Sequence, residues 1–326
     1  MLLWPTMMSA CSPKSTTDNT LDADTAADTG EPDDATTFVW GEQVDATPEF
    51  YPASDVDQDQ VDMVERDYET ASTAWGNFGP IEYWIVGTDI DAAAEHDIYY
   101  CAVRQEKDPS LPEEYEEYCL NRGYSFKDYA ADGGAGLNVI RSDEEEYSGF
   151  IITLASMYPF PDETDYTVVG YHEYFHVVQN AHIDTRQHDE RQALMVENPW
   201  WSEGGAEYMA QLLYSVQPGV DSGYLQQVMS WKMERSQGEL EEGESIADIP
   251  YGENAIVGYD LGAWFIAYLI HQVGQDAFLT GFYDDLNDLG WEGSFVENFG
   301  VSSESILEDF ASFLDEPLSE QLEIIP

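Results

Sequence analysis

Positive charge is scarce in this sequence. Only 11 Lys and Arg stand among 326 residues, against 66 Asp and Glu, for a formal net charge of −55. A surface this acidic repels a phosphate backbone, which excludes nucleic-acid binding through a basic face and docking on anionic membranes. Cysteine is also rare, at 3 residues, so a densely cross-linked miniature fold is excluded. There is no run of about 18 apolar residues of the kind a membrane-spanning helix requires, and no internal repeat. Aromatic and hydrophobic residues are not in short supply, at 13% and 43%. They exclude a wholly disordered acidic chain and supply material for a core.

The N-terminus differs from the rest. Residues 1–10 are short and apolar, and Met8-Ser9-Ala10-Cys11 resembles the lipobox of bacterial lipoproteins, in which Cys11 would be the lipidated first mature residue. No Lys or Arg precedes the apolar stretch, so 1–10 reads as a signal-peptide remnant; an ordinary N-terminus with an incidental cysteine is the alternative. From Ser12 to Thr37 the chain has Leu21 as its only large aliphatic residue, which predicts that 11–37 is a lipidated Cys on a disordered acidic tether. The expected location is a cell envelope or cell surface, with the membrane reached only through the lipid. In such an oxidising compartment Cys101 and Cys119 can form a disulfide, although two free thiols fit the sequence as well.

The remainder divides into a sheet-containing part, 38–164, and a helical part, 165–326. Val61, Val64, Tyr68, Ala71 and Trp75 recur at helical spacing, and Gly76, Gly79 and Pro80 end that helix. Strands are expected at Ile81 to Val86, Ile98 to Val103, Leu137 to Ile140 and Phe150 to Ala155. Helices are expected over 166–181, 205–215, 222–235, 260–273, 275–287 and 303–314, the last capped by Ser302 or Ser303. Strands first and helices after predict an α+β fold, with an N-terminal mixed sheet packed on a helix of a mainly helical C-terminal half. Asp55, Asp57, Asp59 and Asp62 alternate like calcium ligands, but Gln60 and Arg66 occupy the positions where an EF-hand loop needs Gly and Glu.

Chemistry concentrates in His172-Glu173-Tyr174-Phe175-His176, a His-Glu-x-x-His segment. On a helix, residues four apart share a face, so the two imidazoles address one point, where a divalent ion can bind. An adjacent carboxylate can take a proton from water activated by that ion. Downstream comes Trp200-Trp201-Ser202-Glu203-Gly204-Gly205-Ala206-Glu207-Tyr208. Together these segments resemble the gluzincin metallopeptidases, and the likeness spans about 165–315.

That resemblance implies a zincin-like fold and a single Zn2+ held by His172, His176 and Glu203, with 26 residues between His176 and Glu203. It implies that Glu173 is the general base and that Glu207, one turn after Glu203, orients a ligand histidine, unless Glu207 is simply a surface carboxylate. Gly258-Tyr259-Asp260-Leu261-Gly262 is similar to the segment whose Tyr stabilises the oxyanion, so Tyr259 takes that role, with Tyr251 in reserve. The implied activity is zinc-dependent peptidase on peptide or protein substrates. It would be an endopeptidase, because no Gly-x-Met-Glu-Asn segment is present to anchor a free N-terminus, and substrate would pair with a sheet edge at Phe150 to Ala155. Two other readings stay open. One is a metzincin with His182 as third ligand, although Gln179 stands where that pattern needs Gly. The other is a surface-binding lipoprotein without turnover, whether or not it also takes calcium. His96, His188 and His271 have no motif around them.

Overall fold

The computed structural model describes residues 38–121, 125–156, 166–196, 198–241, 243–252 and 254–326. The readings made for residues 1–10, for Cys11 and for the tether to residue 37 lie outside them. The sheet part comprises β1 (Glu49–Pro52), α1 (Gln58–Trp75), β2 (Ile81–Val86), α2 (Ile90–Lys107), α3 (Tyr115–Leu120), α4 (Phe126–Asp132), β3 (Ala135–Ile140) and β4 (Gly149–Ala155). Eight helices follow: α5 (Tyr166–Ala181), α6 (His188–Met195), α7 (Pro199–Ser215), α8 (Tyr224–Ser236), α9 (Ala255–Val273), α10 (Tyr283–Phe299), α11 (Ser303–Leu314) and α12 (Leu318–Gln321). The chain is α+β with a mixed sheet.

The sheet order is β1-β2-β4-β3; β1, β2 and β4 run parallel, and β3 is antiparallel to β4. Period-two alternation gives the sheet two apolar faces. Ile81, Tyr83 and Ile85 of β2 and Phe150, Ile152 and Leu154 of β4 face α1 and α5 within the larger core. Trp84, Val86 and Ile151 face α2 and α4 in a smaller core. Glu82 shares that second side, fully buried. It accepts from Lys107 Nζ at 2.9 Å, from Trp84 Nε1 at 3.0 Å, from Tyr147 Oη at 2.9 Å, and from Arg104.

Three expectations change. Ile98 to Val103 is not a strand but part of α2, whose Asp89 cap accepts from Asp91 N and Ala92 N. Ala93, Asp97, Tyr100, Cys101 and Arg104 are buried at helical spacing, so burial of one helical face overrides the β-propensity of Ile98-Tyr99-Tyr100. Phe150 to Ala155 is a strand, but an interior one; the sheet edge beside α5 is β3. Helix α7 starts at Pro199 rather than 205, because Gly204 and Gly205 lie inside it instead of ahead of it.

Cys101 and Cys119 form a disulfide between α2 and α3, with Cα atoms 5.8 Å apart. Two of the alternating acids near residue 57 have structural partners: Asp57 caps α1 by accepting from Gln60 N, and Asp55 accepts from Asp89 N at 2.8 Å.

Candidate metal centre

Helix α5 is buried along almost its whole length, from Val168 to Ala181. It therefore presents His172 and His176 inside the protein, each 9% exposed, with their Nε2 atoms 3.1 Å apart. Helix α7 crosses α5 and brings Glu203 to them. Its Oε2 lies 3.2 Å from His172 Nε2 and 3.1 Å from His176 Nε2. These three residues form the one group among the described residues able to hold a metal ion.

The triangle fits a metal. In a tetrahedral site with bonds of 2.0–2.1 Å, ligand atoms stand about 3.3 Å from one another, close to the separations here. Two imidazoles and a carboxylate suit a first-row divalent ion, whereas calcium and magnesium prefer oxygen throughout.

Each histidine is oriented from behind. His172 Nδ1 lies 3.2 Å from Glu207 Oε2, and His176 Nδ1 lies 2.7 Å from Gln179 Oε1. An oxygen acceptor at Nδ1 keeps the proton there, which leaves the Nε2 lone pair facing the triangle. Gln179 is in turn fixed, its Nε2 donating to Ser202 O at 3.0 Å and to Tyr283 Oη at 3.3 Å. The sequence offered one signal for Gln179: it lies three residues after His176, on the same helical face.

Electrostatics point the same way. Burial raises the Glu203 carboxyl, but the two imidazoles more than reverse this and hold it well below its ordinary range. Burial lowers His172 and His176, and the carboxylates around them, Glu203 foremost, outweigh it and raise both. Such a cluster favours positive charge at its centre. Glu173, 7% exposed, is raised by burial, and its Oε2 has no hydrogen-bond partner. A buried carboxylate oxygen left unpaired beside two metal-type histidines is costly unless something else uses it.

Two tyrosines meet the cluster. Tyr251 Oη donates to Glu203 Oε1 at 2.9 Å, while the Tyr259 ring lies parallel to His172, within 8°, at 6.2 Å between centroids. Burial, and then Glu203, push the Tyr259 phenol well above its usual range. Helix α9 brings Tyr259 there through a very close crossing with α7. A Cβ on Gly204 would stand 2.4 Å from the Gly262 carbonyl carbon, and one on Gly262 would stand 2.4 Å from Trp200 O.

His182 is not brought to the cluster. It follows the end of α5, its Nδ1 bonds Val178 O at 2.7 Å, and its ring packs by Phe78 and Tyr283. His96 lies across the sheet, against Trp84 and Phe126. Residues that the sequence did not single out complete the surroundings of Glu207: Lys232 Nζ at 2.7 Å and Gln211 Nε2 at 2.9 Å. No family model, curated protein or solved structure matches the chain.

Proposed function

We propose that the chain is a zinc-dependent peptidase of gluzincin type. The observation that carries this reading is the convergence of His172, His176 and Glu203 on one point beside Glu173, whose buried Oε2 is unpartnered. Bound by those three residues, zinc would supply Lewis acidity towards water and a peptide carbonyl.

The chain's own residues do the rest. Glu173, raised by burial, is suited to take a proton from water and pass it to the leaving amine. Glu207 and Gln179 hold the two imidazoles in the tautomer that binds metal. Tyr259, a half-buried phenol beside His172, is the donor we assign to the developing oxyanion. An extended peptide would pair with β3, the sheet edge next to α5, which suits cleavage within a chain. The same reading puts the protein at a bacterial cell envelope, anchored through Cys11; loss of lipid labelling in Cys11→Ala tests that part.

The central experiment measures bound zinc and hydrolysis of a mixed peptide library for wild type and Glu173→Gln. Zinc retained by both, with hydrolysis lost in the variant, is the expected result. A wild type that binds zinc yet cleaves no peptide would leave a binding protein on a metal scaffold and overturn the peptidase.

A further inference from the structure

The carboxylate behind His172 is itself held. Lys232, on α8, places Nζ 2.7 Å from Glu207 Oε1 and 3.2 Å from Asp260 Oδ1. Tyr224 Oη steadies Gln211, the other donor to Glu207 Oε1, at 2.6 Å. Asp260 is fully buried and also accepts from Arg235 Nε and Nη2, at 2.6 and 2.7 Å, and from Ser236 Oγ at 2.6 Å.

This placement calls for an explanation. Lys232 is 7% exposed, and a buried ammonium is tolerated only when its partners offset the lost hydration. The chain has only 11 cations for 66 acids, so each cation is scarce. Two of the 11 lie here, one of them bridging two interior carboxylates. One carboxylate touches a histidine of the metal centre, and the other follows Tyr259 in the chain.

We infer that Lys232 is a positioning residue for the metal centre. By engaging Glu207 Oε1 it leaves Oε2 for His172 Nδ1, and so holds the imidazole with Nε2 towards Glu203 and His176. Through Asp260 the same ammonium fixes the second turn of α9, where Tyr259 lies parallel to His172. Helix α8 supplies no ligand and belongs to neither motif. The inference rests on the metal-centre reading above and adds a fourth helix to its support.

The test is a double-mutant cycle read as zinc affinity, measured on the full chain by competition with a chromophoric chelator. Loss of a residue that orients a metal ligand typically weakens binding ten- to hundredfold. Lys232→Met and Glu207→Gln should each fall in that range. The double variant should bind zinc within about twofold of Glu207→Gln, since Lys232 then has nothing to orient. A Lys232→Met affinity within about twofold of wild type, or a double variant that loses the product of both factors, overturns the inference. Where Lys232→Met does not fold, Lys232→Gln, which drops the charge but keeps a donor, takes its place in the cycle under the same criteria. A wild type that takes up no zinc overturns the metal centre and this inference together. A wild type and a Lys232→Met that bind zinc equally overturn this inference alone.

Discussion

The hydroxyl of Tyr251 donates to Oε1 of Glu203 at 2.9 Å, while Oε2 of the same carboxylate faces His172 and His176. The bond commits one oxygen outward and leaves the other for the cluster. Tyr259 also feels Glu203, but it lies flat beside His172, with its ring parallel to the imidazole. Tyr251→Phe should therefore weaken zinc binding by about tenfold or less, the scale of one partly exposed hydrogen bond to a charged group. Tyr259→Phe should leave zinc binding intact and slow peptide turnover by about 10²–10³-fold. Chelator competition and single-turnover kinetics separate the two; a Tyr251→Phe variant with normal zinc and slow turnover would exchange their roles.

Gln179→Leu removes the acceptor at His176 Nδ1 and the donor to Ser202 O in one step. Both partners are buried, so we expect about 1–3 kcal/mol of lost stability together with roughly tenfold weaker zinc. Gln179→Glu restores the acceptor and should recover much of the zinc affinity without the bond to Ser202 O. Urea unfolding and chelator competition report the two effects separately, and unchanged zinc binding in Gln179→Leu would remove Gln179 from the site.

Gly262→Ala tests how the site is assembled. Its added methyl would meet Trp200 O at 2.4 Å, where only backbone can yield, so α7 and α9 must separate. Overpacking of this kind costs about 1–3 kcal/mol. The shift also moves Glu203 relative to α5, so zinc affinity should fall with stability. Ala substitution at Gly238, which has open space around it, is the control and should leave zinc binding unchanged.

These cases show what could be read in advance. The histidines of α5 are legible because their geometry is local: a spacing of four on an apolar helix fixes their shared face. Glu203 is legible only through resemblance, since the crossing that delivers it is made by Gly204 and Gly262, which sequence rules treat as breakers. Lys232 and Asp260 were invisible because each meets its partner from a different helix, and no local pattern encodes that meeting. Ile98 to Val103 misled because propensity and periodicity disagreed, and burial of one helical face won.

Acid should destabilise the fold through His96. Burial lowers its imidazole to about 4 from 6.5, and Nε2 lies 3.0 Å from Tyr51 O. Between those pH values the unfolded chain binds the extra proton and the folded one does not, so stability rises with pH across the window. The contribution is fully present above about 6.5 and lost by about 4, which amounts to about 3 kcal/mol at 1.36 kcal/mol per unit. Unfolding free energies at pH 7 and pH 4 should therefore differ by about 3 kcal/mol less in His96→Gln than in wild type. Equal differences would show that His96 does not carry the effect.

Salt should stabilise the protein. With a formal charge of −55, repulsion among surface carboxylates opposes the compact state. Screening shortens to about 3 Å at 1 M salt, so the melting temperature should climb with NaCl, in wild type and in Glu173→Gln alike. A flat or falling curve would mean that self-repulsion is not a limiting term.

Cations are few and unevenly placed in this molecule: Arg104, Arg191 and Lys232 are buried, at 3%, 6% and 7% exposed, and no Lys or Arg follows Arg235. A protease that cuts after basic residues therefore finds few bonds to attack in the folded chain. In the stretch that holds α9 to α12 it finds none even after unfolding. Digestion by such an enzyme is blind to the opening of that quarter of the molecule, and its unfolding has to be followed with an enzyme that cuts at aromatic or acidic residues.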